Sequence, residues 1–387
     1  MYDLTVIIPT FNEEANIRNI VMAVDAVFHE HSLHGQVLVV DDNSPDGTIG
    51  IVHELMRTNG NVSLLVRERD HGLSQSVADG FSHAGSEVFV VIDADFSHPP
   101  VLIPRMYDEI RKGNDIVIGS RYMEGGGIKK WPLKRRAISL GATFLGRLLF
   151  PDITDPVSGF FAVKKQVVEK APLKPRGYKI LLEVLGKGSW KTVREIPFEF
   201  VDRQTGASKL KLKTLSDYAL QIADIAVFSL FNPGSAARGE WEKIVKFGIV
   251  GISGIIVNEG ILIYLREHAG FSIPAASVVA IELSILSNFL FNDLWTFRSD
   301  KEHLLSGRWQ RFTSFQVISI GGAVINFALL NILSFLLGID YRIANIAGIL
   351  VAFAWNFFVN RNLTWKKTRS MKENPPGRLT SSSHSER

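Results

Sequence analysis

Residues Glu87–Pro100, EVFVVIDADFSHPP, decide how the first half of this chain folds. An apolar, β-branched run ends at Asp93-Ala94-Asp95, which predicts a buried strand with two carboxylates at its C-terminal end. In open α/β sheets, ligands bind at that edge. Side chains spaced i, i+2 on a turn can face one divalent cation, and carboxylate oxygens suit Mg or Mn. The alternative is that the aspartates start the next helix, with His98-Pro99-Pro100 at its entry.

The second half of the chain differs in composition from the first. Of 387 residues, 46% are hydrophobic, which is enough for a domain-sized core and a more apolar part besides. Charges occur throughout residues 1–210, whereas residues 243–365 hold four long apolar stretches. Each stretch approaches the ~20 residues that a helix needs to cross a ~30 Å hydrocarbon layer. The predicted membrane spans are Phe247–Leu265, Pro274–Asn292, Phe315–Leu337 and Ile343–Val359.

Basic residues flank alternate ends of the predicted spans. On one side lie Arg238, Lys243, Lys246, Arg298, Lys301, Arg308, Arg311, Arg361, Lys366, Lys367 and Arg369, and on the other only Arg266 and Arg342. By the positive-inside rule, we expect a multi-pass protein of the cell membrane whose large N-terminal domain and both termini are cytoplasmic. The net charge of +4 needs no nucleic acid partner to explain it. The absence of cysteine excludes disulfides and thiol catalysis.

A sequence repeat runs through the predicted membrane part. Asn258, Asn288-Phe289, Asn292 and Thr296-Phe297 recur 68 residues later as Asn326, Asn356-Phe357, Asn360 and Thr364-Trp365. The constant offset predicts two duplicated helical hairpins in parallel orientation. Polar groups in hydrocarbon are costly unless they find partners, so the intramembrane ones mark either a lipid or ion path or contacts that hold helices together. They are Glu259, Glu282, Asn288 and Asp293.

The N-terminal part alternates between strand and helix patterns. Apolar runs predict strands at Leu4–Ile8, Gln36–Val40, Val62–Val66, Val88–Ile92 and Asp115–Ile118. Helical patterns lie between them, for instance at Glu13–Phe28 and Val101–Lys112. We therefore expect an α/β fold with a mostly parallel sheet that helices cover on both faces.

Two further helical patterns, Leu133–Phe150 and Leu212–Phe231, are amphipathic. The first carries Lys134, Arg135, Arg136 and Arg147, and the second has Leu212, Leu215, Ala219, Ile222 and Ala226 on one face. Both suit helices at an anionic membrane surface, although helices packed on the sheet would look similar. The expected divisions are an α/β domain at 1–211, an amphipathic interface helix and linker at 212–242, a transmembrane domain at 243–365 and a disordered tail at 366–387.

Polar residues also follow three other predicted strands. The segments are Pro9-Thr10-Phe11-Asn12-Glu13, Asp41-Asp42-Asn43-Ser44-Pro45-Asp46-Gly47 and Gly119-Ser120-Arg121-Tyr122. Because they share a sheet edge with Asp93 and Asp95, they outline a nucleotide pocket, with acceptors for base and ribose, a metal for the diphosphate and cations for its remaining charge. Taken singly, Glu13 and Asn43 could cap helices, and Arg121 could form a surface ion pair.

In this order, the motifs resemble those of family 2 glycosyltransferases of the GT-A fold, specifically the dolichol-phosphate mannose synthases. The motifs are VIIPTFNEEANI, VVDDNSPDGT, DADFSHPP, GSRY, DPVSGFFAVKK and the Gly206-Ala207-Ser208-Lys209 turn. The four spans resemble the GtrA-like membrane domain fused to the archaeal-type synthases. The resemblance implies a dolichyl-phosphate β-D-mannosyltransferase that moves mannose from GDP-mannose to dolichyl or another polyprenyl phosphate at the cytoplasmic leaflet, with inversion, using Mg or Mn.

The resemblance also implies roles for individual residues. Pro9, Phe11, Glu13, Val40 and Asp42 would hold the nucleoside, Asp93, Ala94 and Asp95 the diphosphate and metal, and Arg121, Arg135, Lys179, Arg203 and Lys209 the phosphates of donor and acceptor. Asp93, Asp95 and Arg121 would be the catalytic residues. Relatives often have Tyr where Phe11 stands and Gln where Ser97 stands. A Gln carbonyl can reach the metal, so Ser97 either binds it through its shorter hydroxyl or leaves that position to water.

The expected chemistry needs no general base. A phosphate monoester has a second pKa near ~6, so the acceptor oxygen is already an anion at neutral pH. Donor and acceptor phosphates repel each other, and at ~4 Å an effective dielectric of ~20 leaves ~4 kcal/mol per unit charge pair. The site must therefore neutralise charge, through a divalent cation at the leaving diphosphate and cationic side chains at the lipid phosphate.

Three alternatives remain open from the sequence. A polyprenyl-phosphate glucosyltransferase would use the same residues with UDP-glucose as donor. A processive polysaccharide synthase is less favoured, because the chain lacks a QxxRW motif and an obvious carboxylate base for a hydroxyl acceptor. A glycolipid translocase with a regulatory soluble domain would use the intramembrane Glu259, Glu282 and Asp293.

Overall fold

The computed structural model describes residues 2–129, 133–174, 177–201, 212–298 and 307–366. These residues form two compact units, and the boundary between the units lies between Trp241 and Glu242. The strands of the first unit are β1 (Leu4–Thr10), β2 (Gly35–Asp41), β3 (Val62–Val66), β4 (Val88–Val91), β5 (Ile116–Ser120), β6 (Gly127–Lys129), β7 (Phe161–Lys164), β8 (Val193–Pro197) and β9 (Glu199–Val201). Its helices are α1 (Ile17–Glu30), α2 (Thr48–Thr58), α3 (Leu73–His83), α4 (Ile103–Arg111), α5 (Leu133–Leu149), α6 (Lys165–Val168), α7 (Ile180–Lys187) and α8 (Leu212–Phe231).

The described strands form a seven-stranded sheet in the order β3-β2-β1-β4-β7-β5-β8, and β6 pairs with β9 separately. Strand β7 runs antiparallel to both neighbours, β4 and β5, and the other pairs of the large sheet are parallel. The predicted mostly parallel α/β sheet is therefore confirmed. Because β1 to β5 run the same way, their C-terminal ends meet at one edge.

Alternating side chains along the strands pack into two hydrophobic cores, one on each face of the sheet. On β1, Val6 and Ile8 pack into one core with α1 and α4, while Ile7 packs into the other with α3 and α7. This period of two is what a strand buried on both faces requires. The predicted start of the first helix at Glu13 is wrong by one turn, because the Glu13 amide donates to Thr48 Oγ1 at 3.0 Å and α1 begins only at Ile17.

Helices α5 and α8 each use one face for packing and leave apolar side chains exposed on another. Ile225 of α8 is fully buried in the second core, and Tyr218 Oη donates to the Ala142 carbonyl of α5 at 2.7 Å. In contrast, Phe144 of α5 is 51% exposed and Phe231 of α8 is 81% exposed. The buried face agrees with packing on the sheet, and the exposed apolar face agrees with binding at a membrane surface.

The second unit consists of long apolar helices. They are α9 (Arg238–Glu267, which begins in the first unit), α10 (Ile273–Phe291), α11 (Arg308–Asn331) and α12 (Tyr341–Val359). Each is long and apolar enough to cross a membrane, with a mean hydropathy of 1.6 to 1.9 over its most apolar window. Short π-helical segments follow α10, α11 and α12, at Asn292–Thr296, Ile332–Leu336 and Asn360–Thr364. The first and third lie 68 residues apart, as the sequence repeat predicts.

The repeat also appears in the contacts within this unit. A Cβ placed on Gly254 would lie 2.4 Å from the Asn288 amide, and one placed on Gly322 would lie 2.5 Å from the Asn356 amide. Each asparagine therefore lies flat against a glycine of the preceding helix, where a larger residue does not fit. The two hairpins thus repeat both a sequence pattern and a packing contact.

Asp293 is a buried acidic residue of this unit. Its side chain is 1% exposed and accepts hydrogen bonds from Arg311 Nε at 3.1 Å and Trp365 Nε1 at 3.2 Å. Because Arg311 and Trp365 belong to the second hairpin, Asp293 links the two repeats. Glu282 similarly accepts from Gln316 Nε2 at 2.7 Å. These bonds support a role in holding helices together for both carboxylates.

Candidate active site

The C-terminal edge of the parallel strands carries unusual backbone. A non-glycine residue with positive φ follows each of β1 to β4, namely Asn12 (60°), Asn43 (57°), Asp70 (54°) and Phe96 (60°). This conformation costs about 1–3 kcal/mol per residue and persists only where surrounding contacts impose it, most often at active sites. Of the five described non-glycine residues with positive φ, four therefore lie at the edge that carries the polar motifs, and the fifth, Ser32, follows α1.

The loops after β1 and β2 are tied together. Asn12 N donates to Ser44 Oγ at 2.9 Å, and the Glu13 carboxylate accepts from Asn16 Nδ2 at 2.8 Å. The Phe11 ring is 42% exposed, which leaves a face for a flat ligand such as a base. The Val40 side chain is instead fully buried in the core, as is Pro9 within β1. Only main-chain atoms of these two residues can face a nucleoside.

The Asp42 carboxylate is held by a network that the sequence did not reveal. Its Oδ1 accepts from Arg67 Nη1 and from Ser76 Oγ, and its Oδ2 accepts from Gly72 N at 2.6 Å. Arg67 Nε also donates to Asp79 Oδ2 at 2.6 Å. Burial alone would lower the pKa of Arg67, but the bonds to Asp79 and Asp42 outweigh it and raise that pKa. Arg67 directly follows β3, so the rule that selected the other strand ends would have found it.

The loop after β4 holds the two predicted metal ligands. Ser97 N donates to Asp95 Oδ1 at 3.1 Å, and Asp93 N donates to His98 Nδ1 at 3.0 Å. Ala94 between the aspartates is 3% exposed and packs into the first core, which turns Asp93 and Asp95 away from it. Ser97 Oγ is buried and has no hydrogen-bond partner among the described residues. A buried, unsatisfied oxygen next to two carboxylates fits a hard divalent cation.

The described residues hold no cluster of three or more His, Cys, Asp or Glu side chains suited to a metal. Proteins usually bind Mg²⁺ through one or two carboxylates together with substrate phosphates. The side chains that would hold it are Asp93, Asp95 and Ser97.

Arg121, at the end of β5, is paired with a residue from a distant loop. Asp155 accepts from Arg121 Nε at 2.7 Å, from Nη2 at 2.9 Å and from the Arg121 amide at 3.2 Å. The side chains are 7% and 0% exposed. Burial would lower the pKa of Arg121, but the charge of Asp155 and its hydrogen bonds outweigh this and raise the pKa. This geometry is bidentate, so the guanidinium is fixed in direction as well as in place.

Asp155 is fixed in turn by Glu195 of β8. Glu195 accepts from Asp155 N at 3.0 Å, from Thr154 N at 2.8 Å and from Thr154 Oγ1 at 2.8 Å. Sequence reasoning quoted the motif that contains Asp155 but gave this residue no role. The sequence feature that could have identified Asp155 is an acidic residue in an otherwise apolar motif. Its partner Arg121 could not be identified in this way, because it lies 34 residues earlier in the chain.

Lys179, at the start of α7, adds positive charge to the same edge. Its Nζ donates to the Val157 carbonyl at 3.2 Å. Burial, followed by the charge of Arg121, lowers the pKa of Lys179 to about 8, while Asp155 and Asp93 act against the shift. Arg135 of α5 also contributes to lowering it. The structure thus brings together four predicted site residues, Asp93, Arg121, Arg135 and Lys179. The predicted Arg203 and Lys209 lie outside the described residues.

His98 lies beneath this group. It is fully buried, and burial lowers its pKa to about 3, with Asp95 raising it and Arg121 lowering it by smaller amounts. The imidazole is therefore neutral at physiological pH, and its Nδ1 can accept a hydrogen bond. Sequence reasoning treated His98 only as part of a helix entry.

Known families match both units. The family described as Glycosyl transferase family 2 matches residues 5–171, and the GtrA/DPMS transmembrane domain matches residues 246–365. A dolichol-phosphate mannosyltransferase of Pyrococcus furiosus is 43% identical over 365 residues, which cover 94% of this chain and 99% of that protein. The protein of the same name from Saccharomyces cerevisiae is 34% identical over 236 residues, which cover 58% of this chain and 88% of that protein.

Solved structures are more distant. Glucosyl-3-phosphoglycerate synthase from Mycobacterium tuberculosis, in complex with Mn²⁺, UDP and glucosyl-3-phosphoglycerate, has 18% identity and a TM-score of 0.44, and covers 59% of this chain and 79% of its own. Mannosyl-3-phosphoglycerate synthase from Rubrobacter xylanophilus has 20% identity and a TM-score of 0.45, with 60% and 75% covered. Likeness at this level carries no functional argument.

The similarity to the Pyrococcus protein spans nearly the full length of both chains, and the motifs it includes form the strained, charged edge described above. The chain therefore belongs to the dolichol-phosphate mannosyltransferase family, with a family 2 glycosyltransferase domain followed by a GtrA-type transmembrane domain.

Proposed function

We propose that this protein transfers mannose from GDP-mannose to the phosphate of dolichol or another polyprenol, with inversion, at the cytoplasmic face of the cell membrane, using Mg or Mn. The observation that carries the proposal is the grouping of Asp93, Arg121 and Lys179 at one sheet edge in a chain of this family. Two carboxylates alone would repel a diphosphate, whereas two carboxylates with a cation and basic side chains attract it.

The nucleotide would occupy the edge from β1 to β4. The exposed Phe11 ring offers a stacking face, and Glu13 and Asp42 offer acceptors for base or ribose. At Asp93 and Asp95, a divalent cation would stabilise the leaving diphosphate as a Lewis acid. The fixed network around Asp42 means that this carboxylate is already oriented before the donor binds, which lowers the cost of binding.

The acceptor phosphate would lie beside Arg121, Arg135 and Lys179. Asp155 compensates much of the Arg121 charge, so the net positive charge on this side depends strongly on Lys179, whose described partner is a carbonyl. A phosphate oxygen attacks the anomeric carbon, a new carbon–oxygen bond forms, and the bond to the nucleoside diphosphate breaks with its electron pair leaving on the diphosphate. No proton needs to move, because the nucleophile is already an anion. Attack opposite the leaving group inverts the anomeric centre.

The membrane part would anchor the enzyme where its lipid substrate is found. The basic residues flanking α9, α11 and α12 support a cytoplasmic catalytic unit by the positive-inside rule. The exposed apolar residues Phe144 of α5 and Phe231 of α8 support contact of these helices with the membrane surface, in line with an interface segment at residues 212–242. A role in lipid translocation has less support, since Asp293 and Glu282 already have partners within the helical unit.

The test is a transfer assay with the purified full-length protein in detergent. Polyprenyl phosphate is incubated with radiolabelled GDP-mannose or UDP-glucose in parallel, with Mn²⁺, with Mg²⁺ and with a chelator. We expect label in the lipid only from GDP-mannose and only with metal. Transfer from UDP-glucose alone would instead support the polyprenyl-phosphate glucosyltransferase.

The variant Asp95→Ala isolates the metal site. Asp95 lies on a loop outside the strand ladder, so we expect the protein to stay folded, with a melting temperature lowered by the loss of the bond from Ser97 N, and to show no detectable transfer. The matched control is Asp108→Ala, which removes a carboxylate of α4 away from the edge. Metal-dependent turnover by Asp95→Ala would remove this metal site from the mechanism.

A further inference from the structure

The backbone of the loop after β4 depends on one side chain. The ladder between β4 and β1 ends where Ile92 N donates to the Ile7 carbonyl at 3.2 Å. The next amide, that of Asp93, donates to His98 Nδ1. Without this acceptor, a partly buried amide would lose its partner, which is destabilising. His98 therefore closes the loop that carries Asp93 and Asp95.

The imidazole itself has little freedom. It stacks on Phe160 at 5.2 Å with an interplanar angle of 12°, and Phe198 and Phe200 meet it edge-on at 5.8 and 6.1 Å. A Cβ on Gly159 would lie 3.0 Å from Cε1, so the glycine leaves the space that the ring fills. A side chain enclosed in this way occupies one rotamer, and its Nδ1 points in one direction.

The loop that His98 closes is strained. Phe96 lies between Asp95 and Ser97 with φ at 60°, which is an outlier for a bulky side chain. The residue is 42% exposed. Two bonds at the ends of the loop, from Asp93 N to His98 and from Ser97 N to Asp95, restrain it.

We propose that His98 is a positioning residue, whose Nδ1 fixes the Asp93 amide so that Asp93, Asp95 and Ser97 direct their oxygens at one cation. This inference rests on the proposed metal-dependent transfer. Hydrogen bonds that orient ligands from outside the coordination sphere commonly change metal affinity by about 10- to 100-fold when they are removed. His98 Nδ1 also lies 3.8 Å from Asp93 Oδ2, which is beyond hydrogen-bonding distance, so the bond to the Asp93 amide is the one that fixes this ligand.

Three substitutions separate the acceptor from the ring. His98→Asn places Oδ1 where Nδ1 was and loses the stacked ring. His98→Phe keeps a ring against Phe160 and loses the acceptor. His98→Gln places its acceptor, Oε1, one bond further from the main chain than Nδ1 of the histidine. The control, His53→Phe, makes the same change at an exposed position of α2.

The assay measures Mn²⁺ binding and not only turnover. Full-length protein in detergent is titrated with Mn²⁺ in the presence of GDP, and free Mn²⁺ is followed by electron paramagnetic resonance. We expect His98→Phe and His98→Gln to bind Mn²⁺ at least about 10-fold more weakly than wild type. His98→Asn should retain most of the affinity, and His53→Phe should lie within about twofold of wild type. In transfer assays, excess Mn²⁺ should restore the His98→Phe rate in part.

The outcomes are distinguishable. If wild-type protein fails to bind Mn²⁺, the proposed metal-dependent function fails and not merely the role of His98. If wild type binds Mn²⁺ and His98→Phe binds it equally well, His98 has no positioning role. Equal loss in His98→Asn and His98→Phe would assign the effect to ring packing and overturn the inference. Should His98→Phe melt far below wild type, the comparison of His98→Asn with His98→Gln decides in its place.

Discussion

Replacing Asp155 by Asn should expose how far the active edge depends on one buried ion pair. Asn has nearly the shape of Asp, so no cavity forms. However, its amide nitrogen is a donor that must face a guanidinium donor, where Asp155 now accepts from Arg121 Nε and Nη2. The Arg121 charge then stays buried without its counter-charge. Both effects destabilise the fold and release the direction of Arg121.

The size of the effect follows from burial. The two side chains are 7% and 0% exposed, and breaking a buried pair from one side costs about 3–5 kcal/mol. For a unit of this size, each kcal/mol shifts the melting temperature by about 2–4 °C. We therefore expect Asp155→Asn to lower the melting temperature of the catalytic unit by about 6–20 °C.

The assay is thermal unfolding of full-length protein in detergent, followed by tryptophan fluorescence, together with mannosyl transfer. Glu54→Gln is the control, because it breaks the exposed Arg18–Glu54 pair, whose side chains are 49% and 62% exposed. We expect it to change the melting temperature by no more than about 2–4 °C, since exposed pairs contribute about 0–1 kcal/mol.

A double variant separates stability from chemistry. Arg121→Met with Asp155→Leu removes both charges, so it should recover most of the lost stability while transfer stays absent. The reasoning is refuted if Asp155→Asn melts within the range of the control, or if the double variant regains transfer.

Two further predictions concern pH and the membrane unit. Burial and the charge of Arg121 lower the pKa of Lys179 to about 8, so kcat/KM should fall as pH rises through about 8. Lys179→Arg, which stays charged, should remove this fall. If the pH profile of Lys179→Arg matches that of wild type, Lys179 is not the titrating group. Asp293→Asn should lower the melting temperature of the purified protein more than Glu259→Gln does, because only Asp293 is buried and links the repeats; equal melting would show that its bonds do not matter for stability.

The sequence predicted the strands well because each strand is a local signal. The five predicted strands lie within one or two residues of the observed β1 to β5, since period and apolar content depend on neighbouring residues alone. The strands β6 to β9 were not identified. Several of them are only three or four residues long, and β7 enters the sheet antiparallel between β4 and β5, an arrangement that contacts distant in sequence determine.

The helices divide in the same way. The four membrane spans could be predicted because a helix that crosses the hydrocarbon layer needs a long apolar run of sequence. The offset of 68 residues could be found because a duplication repeats the same residues along the chain. The start of α1 could not be predicted from the sequence. Ser44 and Thr48, which belong to the loop after β2 and the start of α2, accept hydrogen bonds from the amides of residues 12 and 13 and keep these residues out of the helix.

The sequence by itself determined which polar residues stand at strand ends, that two carboxylates meet at one edge, and that an apolar repeat follows. Only the tertiary structure decided that Asp155 pairs with Arg121, that His98 closes the loop of Asp93, that Val40 turns into the core, and that Lys179 has its pKa lowered to about 8. The physical reason is that strand and span formation follow from residues adjacent in the chain. Partner choice and loss of solvent depend on which distant segments the fold brings within a few ångströms.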